Sequence, residues 1–222
     1  MADKYKTFED LARHETAGVD FRVLVRRARA ALALVAPHGG GIEPGTSEIA
    51  DAVAAGGPSF YAFEGLKASG NGDLHITSTR FDEPLCVALL AASDVVVTLH
   101  GEHSTGDGDG VFLGGRDEEL GGRLGAALAA EGFDVRRHPD PRLQGREAKN
   151  VCNRGRSGRG VQLELSRTVR EEMFRSLTRE GRTQPTRRFG QFVDALRRVL
   201  DPQTGRAEGR VRQAPRGRRS SS

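Results

Sequence analysis

The chain has no tryptophan, and only two tyrosines, two methionines and two cysteines among its 222 residues. Cys86 and Cys152 stand alone, with no CxxC, which excludes a four-thiolate zinc site and a disulfide-stapled scaffold. Cys86 lies in the apolar run Leu85-Cys86-Val87-Ala88-Leu89-Leu90 and reads as a small buried hydrophobe. Such cysteine usage fits a reducing compartment. The first residues, Met1 to Lys6, are polar and lack the apolar core of a signal peptide. No apolar run approaches the length of a membrane span. The resulting expectation is a cytoplasmic, non-membrane protein that reaches any outside target through cell lysis. Gly39-Gly40-Gly41 is not followed by the Lys-Ser/Thr of a phosphate-binding loop. Asp107 and Asp109 lack the glutamate that closes a calcium-binding EF-hand and read as solvated.

The formal net charge is +4, and its placement matters more than its size. Residues 201–222 carry six arginines against Asp201 and Glu208, which accounts for the whole excess. Residues 1–200 are therefore formally neutral. We read 1–200 as one domain and 201–222 as a disordered, Arg-rich tail of Pro, Gly, Arg and Ser. Nucleic acid is not an expected partner, except non-specifically through that tail.

Apolar segments alternate with helical patterns along residues 1–200. A helical lead-in ends near Gly18, and strands follow at Phe21–Val25 and Ala30–Ala36. A helix from Glu43 or Thr46 stops at Gly56. Further strands are predicted at Ser59–Phe63, around Leu74–Ile76, and at Asp94–Leu99, Val111–Leu113, Phe133–Arg136 and Val161–Leu165. Helices are predicted from Asp82 or Glu83, over Arg116–Glu131, from Arg167 and over Pro185–Leu200. This alternation predicts an α/β fold with a largely parallel sheet.

Sheets of that kind place ligands at the carboxyl ends of their strands. Two of the most apolar strands run into histidine, one at His38 and the other at His100. Three glycines and Ile42 separate His38 from Glu43, so the backbone can turn and bring a carboxylate back to the strand end. Two imidazoles and a carboxylate suit zinc with one position left for water, and suit other divalent metals as well. Glu164 interrupts the strand Val161-Gln162-Leu163-Glu164-Leu165, where a carboxylate is costly without a task. It is the candidate general base. His14 and His138 read as surface residues, and Asp82 and Glu83 as helix N-terminal carboxylates. His103 reads as solvent-exposed or as a substrate contact.

At these residues the sequence resembles the phage-type poly-γ-glutamate hydrolase family, prophage-encoded members included. The resemblance rests on Pro37-His38-Gly39-Gly40-Gly41-Ile42-Glu43-Pro44-Gly45-Thr46, Leu74-His75-Ile76-Thr77-Ser78-Thr79, Phe81-Asp82-Glu83-Pro84 and His100-Gly101. Asn150-Val151-Cys152-Asn153-Arg154 and Gly160-Val161-Gln162-Leu163-Glu164-Leu165-Ser166 complete it. These segments recur in family order from about residue 5 to residue 200.

The resemblance implies a three-layer, carboxypeptidase-like α/β/α fold with one zinc per chain. It places His38, Glu43 and His100 at the ligand positions and Glu164 at the general base. The implied reaction is hydrolysis of γ-glutamyl amide bonds in a polyanionic polymer, by a monomer. By resemblance to carboxypeptidase-like enzymes, Asn153 and Arg154 become anchors for a substrate carboxylate. The loop Asn153–Arg159 also reads as a solvated charge run. His75 falls in a matching segment and reads either as a substrate contact or as a histidine bonded to its neighbour. Arg80 stands where the family carries His in a Thr-Ser-Thr-His-Phe stretch, so it is a candidate substrate contact that departs from the pattern. Two other readings stand beside this one. One keeps the metal and takes a small N-acyl amino acid or a cell-wall γ-glutamyl peptide. The other is a non-catalytic module binding a polyanion or nucleic acid through the tail.

Overall fold

A computed structural model describes residues 3–102 and 109–201. The core of the sheet is built by strands whose residues are buried on both faces. They are β2 (Leu32–Gly40), β3 (Ser59–Gly65), β4 (Val95–Gly101) and β7 (Val161–Leu165). β1 (Phe21–Arg26) runs antiparallel to β3 at one edge. β5 (Val111–Gly115) runs antiparallel to β7, and β6 (Val135–Arg137) closes the other edge. The order is β1-β3-β2-β4-β7-β5-β6, and β3, β2, β4 and β7 are mutually parallel.

Helices cover both faces. α2 (Thr46–Ala54), α4 (Glu118–Ala130), α5 (Arg167–Met173) and α6 (Arg187–Leu200) pack on one face through Ile49, Leu124, Met173 and Phe192. α1 (Phe8–His14) and α3 (Pro84–Ala92) pack on the other through Leu11, Cys86 and Leu89. Along β2 the side chains alternate between these layers, Leu34 and Ala36 to the first, Ala33 and Val35 to the second. The predicted three-layer α/β/α architecture with a mixed, largely parallel sheet is the one observed. α3 begins as its sequence indicates. Pro84 sits in the first turn and the Glu83 carboxylate accepts from the Cys86 amide. Asp82 serves elsewhere, accepting from the Phe8 amide and tying α1 down.

Two expectations need correction. β2 does not stop before Pro37. It runs on to Gly40 across a break in register between Ala36 and Gly39, where proline has no N–H to give. Of the two starts expected for the next helix, α2 takes Thr46, and Glu43 lies in the turn ahead of it, with its amide bonded to the His38 carbonyl at 2.8 Å. The segment around Leu74–Ile76 is a 3-10 turn (Asn71–Leu74) and a loop, not a strand. Leu74 and Ile76 still bury in the α1/α3 layer, so their apolarity reflects packing and not strand pairing.

The topology selects one place for a ligand. From β2 the chain moves to β3 on one side, then crosses back to β4 on the other. β2 and β4 are thus the pair at which the winding reverses, and their carboxyl ends carry His38 and His100. No helix among the described residues is long and apolar enough to cross a membrane.

Candidate metal centre

Three side chains from β2, β4 and the turn between β2 and α2 converge. His38, His100 and Glu43 are all buried. His38 Nδ1 lies 3.0 Å from Glu43 Oε1 and 3.2 Å from His100 Nδ1. His100 Nδ1 lies 3.6 Å from Glu43 Oε2. Ligand atoms bonded to a tetrahedral zinc at about 2.0–2.1 Å stand roughly 3.3–3.4 Å apart. The three separations bracket that spacing.

Tautomers sharpen the fit. His38 Nε2 lies 2.9 Å from the carbonyl of Ile76, which can only accept, so Nε2 carries the proton. In the tautomer with that proton alone, Nδ1 turns its lone pair toward a carboxylate oxygen and a second imidazole nitrogen. Lone pairs converging in this way call for a cation, and a carbonyl on the distal nitrogen is the usual orienting partner of a metal-bound histidine. The Gly101 amide donates to Glu43 Oε2 at 2.8 Å and fixes the carboxylate. Burial alone would raise the Glu43 pKa, but the His38 and His100 imidazoles overcome it and hold the carboxyl well below its usual range. His100 Nε2 is buried with no hydrogen-bond partner among the described residues.

His75 offers a competing third ligand. Ligand atoms of His38, Glu43 and His75 fall within 4.8 Å of one another, and the His38 and His75 rings lie 4.1 Å apart. However, His75 Nε2 is 3.9 Å from Glu43 Oε1, and its Nδ1 is turned to Asp3 at 2.8 Å. The tighter set is His38, Glu43 and His100, with His75 stacked beside it. Repulsion from a protonated His38, with burial, lowers the His75 pKa to about 4, so the two stacked rings do not carry charge together.

Glu164 is the register partner of His100 across β4 and β7. Val161, Leu163 and Leu165 face the α4/α6 layer, so Gln162 and Glu164 face the opposite one. Gln162 Nε2 donates to Glu164 Oε1 at 2.8 Å. Burial and the neighbouring Glu43 carboxylate raise the Glu164 pKa well above that of an ordinary glutamate. A carboxyl shifted this way holds a proton more readily than an ordinary glutamate, which suits a group that must accept one and give it back.

The expected carboxylate anchors lie otherwise. Asn153 Oδ1 accepts from the amides of Arg116 and Gly160, and Nδ2 donates to the carbonyls of Gly145 and Glu147. Its amide group thus holds the surrounding loops together. Arg154 gives Nη1 to the Phe81 carbonyl at 2.5 Å and braces the loop that carries Arg80. Arg80 itself pairs with Asp3. Arg156 pairs with Asp94 at 2.7 Å, beside the start of β4 and so at the edge of the sheet opposite His100. His138, expected on the surface, is buried against Phe112 with Nε2 3.3 Å from Glu102. His103 and Asp107 lie outside the described residues.

Two structural partners of the centre carried no sequence signal. Arg170 on α5 is fully buried and donates to the carbonyls of Leu165, Pro44 and Glu102 at 3.2, 2.9 and 2.7 Å. Its guanidinium lies against Gly101, where any Cβ would meet Arg170 Cζ at 2.6 Å. The second is Asp3, which gathers His75, Thr77 and Arg80. Gln162 was within reach of sequence reasoning, since a residue two before Glu164 on a strand shares its face.

Over residues 5–195 the sequence matches the family described as poly-gamma-glutamate hydrolase. Two relatives come from Bacillus subtilis (strain 168). The SPbeta prophage-derived UPF0714 protein YoqZ is 38% identical over 182 residues, covering 82% of this chain and 65% of YoqZ. The UPF0714 protein YndL is 34% identical over 200 residues, covering 89% of this chain and 78% of YndL. The chain thus spans just under two thirds of the length of YoqZ. Among solved structures, a bacteriophage poly-gamma-glutamate hydrolase aligns with a TM-score of 0.86 at 33% identity, covering 92% of this chain and 99% of the other. A zinc-free form of YndL aligns with a TM-score of 0.84 at 33% identity, covering 91% and 99%. The chain belongs to the poly-gamma-glutamate hydrolase family.

Proposed function

We propose that this chain is a zinc-dependent hydrolase that cleaves the γ-glutamyl amide bonds of poly-γ-glutamate. The observation that carries the reading is the convergence of His38 Nδ1, His100 Nδ1 and the Glu43 carboxylate at tetrahedral spacing, beside the raised-pKa carboxyl of Glu164. His38, Glu43 and His100 would hold one zinc. Bound there, zinc supplies Lewis-acid activation of water and of the scissile carbonyl. That a relative, YndL, is known in a zinc-free form supports the choice of metal.

The chain's own residues supply proton transfer and orientation. Glu164, ionised, takes a proton from the attacking water as its oxygen bonds to the amide carbon. It returns that proton to the leaving amine as the C–N bond breaks, so water adds across the bond and Glu164 ends as it began. Gln162 holds one Glu164 oxygen at 2.8 Å and limits its rotation. Ile76 and Gly101 fix His38 and Glu43 through backbone groups, so the ligand set is aligned before substrate arrives.

The test is to incubate the full chain with poly-γ-glutamate and follow polymer length, with and without a chelator. Shortening that stops with chelator and returns with zinc is expected. Glu164→Gln should retain one zinc per chain and lose roughly 10³-fold in kcat. Full activity in that variant removes Glu164 from the reaction. A polymer left intact by the zinc-loaded parent, alongside cleavage of a small N-acyl amino acid, would transfer the same centre to a different substrate.

A further inference from the structure

The mechanism above leaves a basic cavity unused. It encloses about 570 Å³ between Thr79 and the segment 141–150. Arg116, Arg142, Arg146 and Lys149 line it, against one acid, Glu147. Arg142 forks onto Asp140 through Nε and Nη2, and Arg146 pairs with the exposed Glu118. Arg116 gives Nε to the Arg146 carbonyl, and among the described residues no carboxylate pairs with Arg116 or Lys149. The unspent positive charge of the cavity therefore sits on Arg116 and Lys149, with the paired Arg142 and Arg146 beside them.

Both its walls lead to the metal centre. Thr79 belongs to the segment that carries His75 and the Ile76 carbonyl. On the other wall, Asn150 Nδ2 donates to Gln162 Oε1 at 3.0 Å, and Gln162 Nε2 donates to Glu164 at 2.8 Å. Two hydrogen bonds therefore separate the lining of the cavity from the proposed base. No aromatic side chain lines it, so it lacks the stacking platforms of single-stranded nucleic-acid sites. What it presents is a set of guanidinium and ammonium groups suited to carboxylates.

We propose that this cavity is a carboxylate-binding subsite. It takes the free α-carboxylates of an extended γ-linked chain whose scissile amide lies at the metal centre. The inference rests on the proposed function and adds to it the residues that recognise the polymer beyond the cleaved bond. Recognition of the chain then belongs to Arg116, Arg142, Arg146 and Lys149, and not to the loop Asn153–Arg159, whose Arg156 is tied to Asp94 at the far edge of the sheet.

The test uses the full chain in chelator, so that polymer is bound but not cut, with fluorescein-labelled long poly-γ-glutamate read by anisotropy. The double variant Arg142→Ala/Lys149→Ala alters only exposed side chains, and melting curves verify that it folds. Its affinity should fall about tenfold, with a shallower dependence on salt. Arg156→Ala should bind as the parent does. An unchanged affinity in the double variant overturns the subsite, and so does a single-stranded DNA that competes as well as unlabelled polymer. Cleavage by the zinc-loaded parent is scored separately. A parent that cleaves while the double variant binds undiminished overturns the subsite alone. A parent that neither binds nor cleaves overturns both readings. Binding lost in the double variant, without cleavage by the parent, upholds the subsite and rejects the hydrolysis.

Discussion

Asp3 holds together residues that the resemblance had offered as separate substrate contacts. Its carboxylate accepts from His75 Nδ1 and from the Thr77 amide, both at 2.8 Å, and pairs with Arg80. Burial pushes its pKa upward, but the bonds from Thr77 and His75 outweigh it and hold the group at about 2, against 3.8 in an ordinary chain. A lowered carboxyl stabilises the fold above its unfolded value and loses that contribution as pH falls through its folded value. Asp3→Asn should therefore melt below the parent at neutral pH, and the gap should close between about pH 4 and pH 2. A gap of constant size across that range would show that the charge of Asp3 is not what stabilises the segment. At this scale the sequence was informative where chemistry forces a residue type. His38, Glu43, His100 and Glu164 are costly in apolar surroundings, and that cost made them visible. Asn153 and Arg154 were harder to read, because an amide and a guanidinium serve loop carbonyls as readily as substrate, and here both make such bonds.

Strands were more legible than the positions of their ends. Continuous apolar runs located β2 and β4, since residues buried on both faces leave little alternative composition, whereas β7 was visible through its alternation of Val161, Leu163 and Leu165 with Gln162 and Glu164. The extension of β2 past Pro37 was hidden, since proline normally ends pairing and here only interrupts it. The role of α5 was hidden too, because nothing in its sequence marks Arg170 as interior. One guanidinium ties the end of β7, the turn before α2 and the residue after β4 by spanning the Leu165, Pro44 and Glu102 carbonyls. Truncation to Arg170→Ala removes a buried guanidinium that donates to three carbonyls, of which Leu165 keeps the Glu102 amide, and should cost about 3 kcal/mol, read as a large drop in denaturation midpoint. Arg170→Lys keeps the charge but replaces a planar fork with a single ammonium, and should recover only part of that loss. Full recovery by lysine would mean that charge near Glu43 matters and the three carbonyls do not. Gly101→Ala attacks the same contact from the strand side, through a Cβ 2.6 Å from Arg170 Cζ, and should destabilise in the same direction.

Across the whole molecule, the switch in winding between β2 and β4 makes the metal centre part of the fold. The proposed ligands, His38, Glu43 and His100, come from two adjacent strands and the turn leading to α2. A cation that binds this folded arrangement and not the unfolded chain adds RT ln(1 + [L]/Kd) to stability, about 4 kcal/mol at a thousandfold excess over Kd. Chelator should accordingly lower the melting temperature of the zinc-loaded parent by several degrees, and zinc should restore it. His38→Ala should melt at the same temperature with and without chelator, because the triad has lost the ring that orients it. Removing residues 202–222 should leave the chelator-dependent shift intact, since the family match ends at residue 195 and α6 at Leu200. A shift that survives in His38→Ala would move the metal to other ligands, with His75 and Glu43 first in line. A shift that disappears on truncation would instead make the basic tail part of the metal-bound state, and the formally neutral core could no longer be treated as the whole hydrolase.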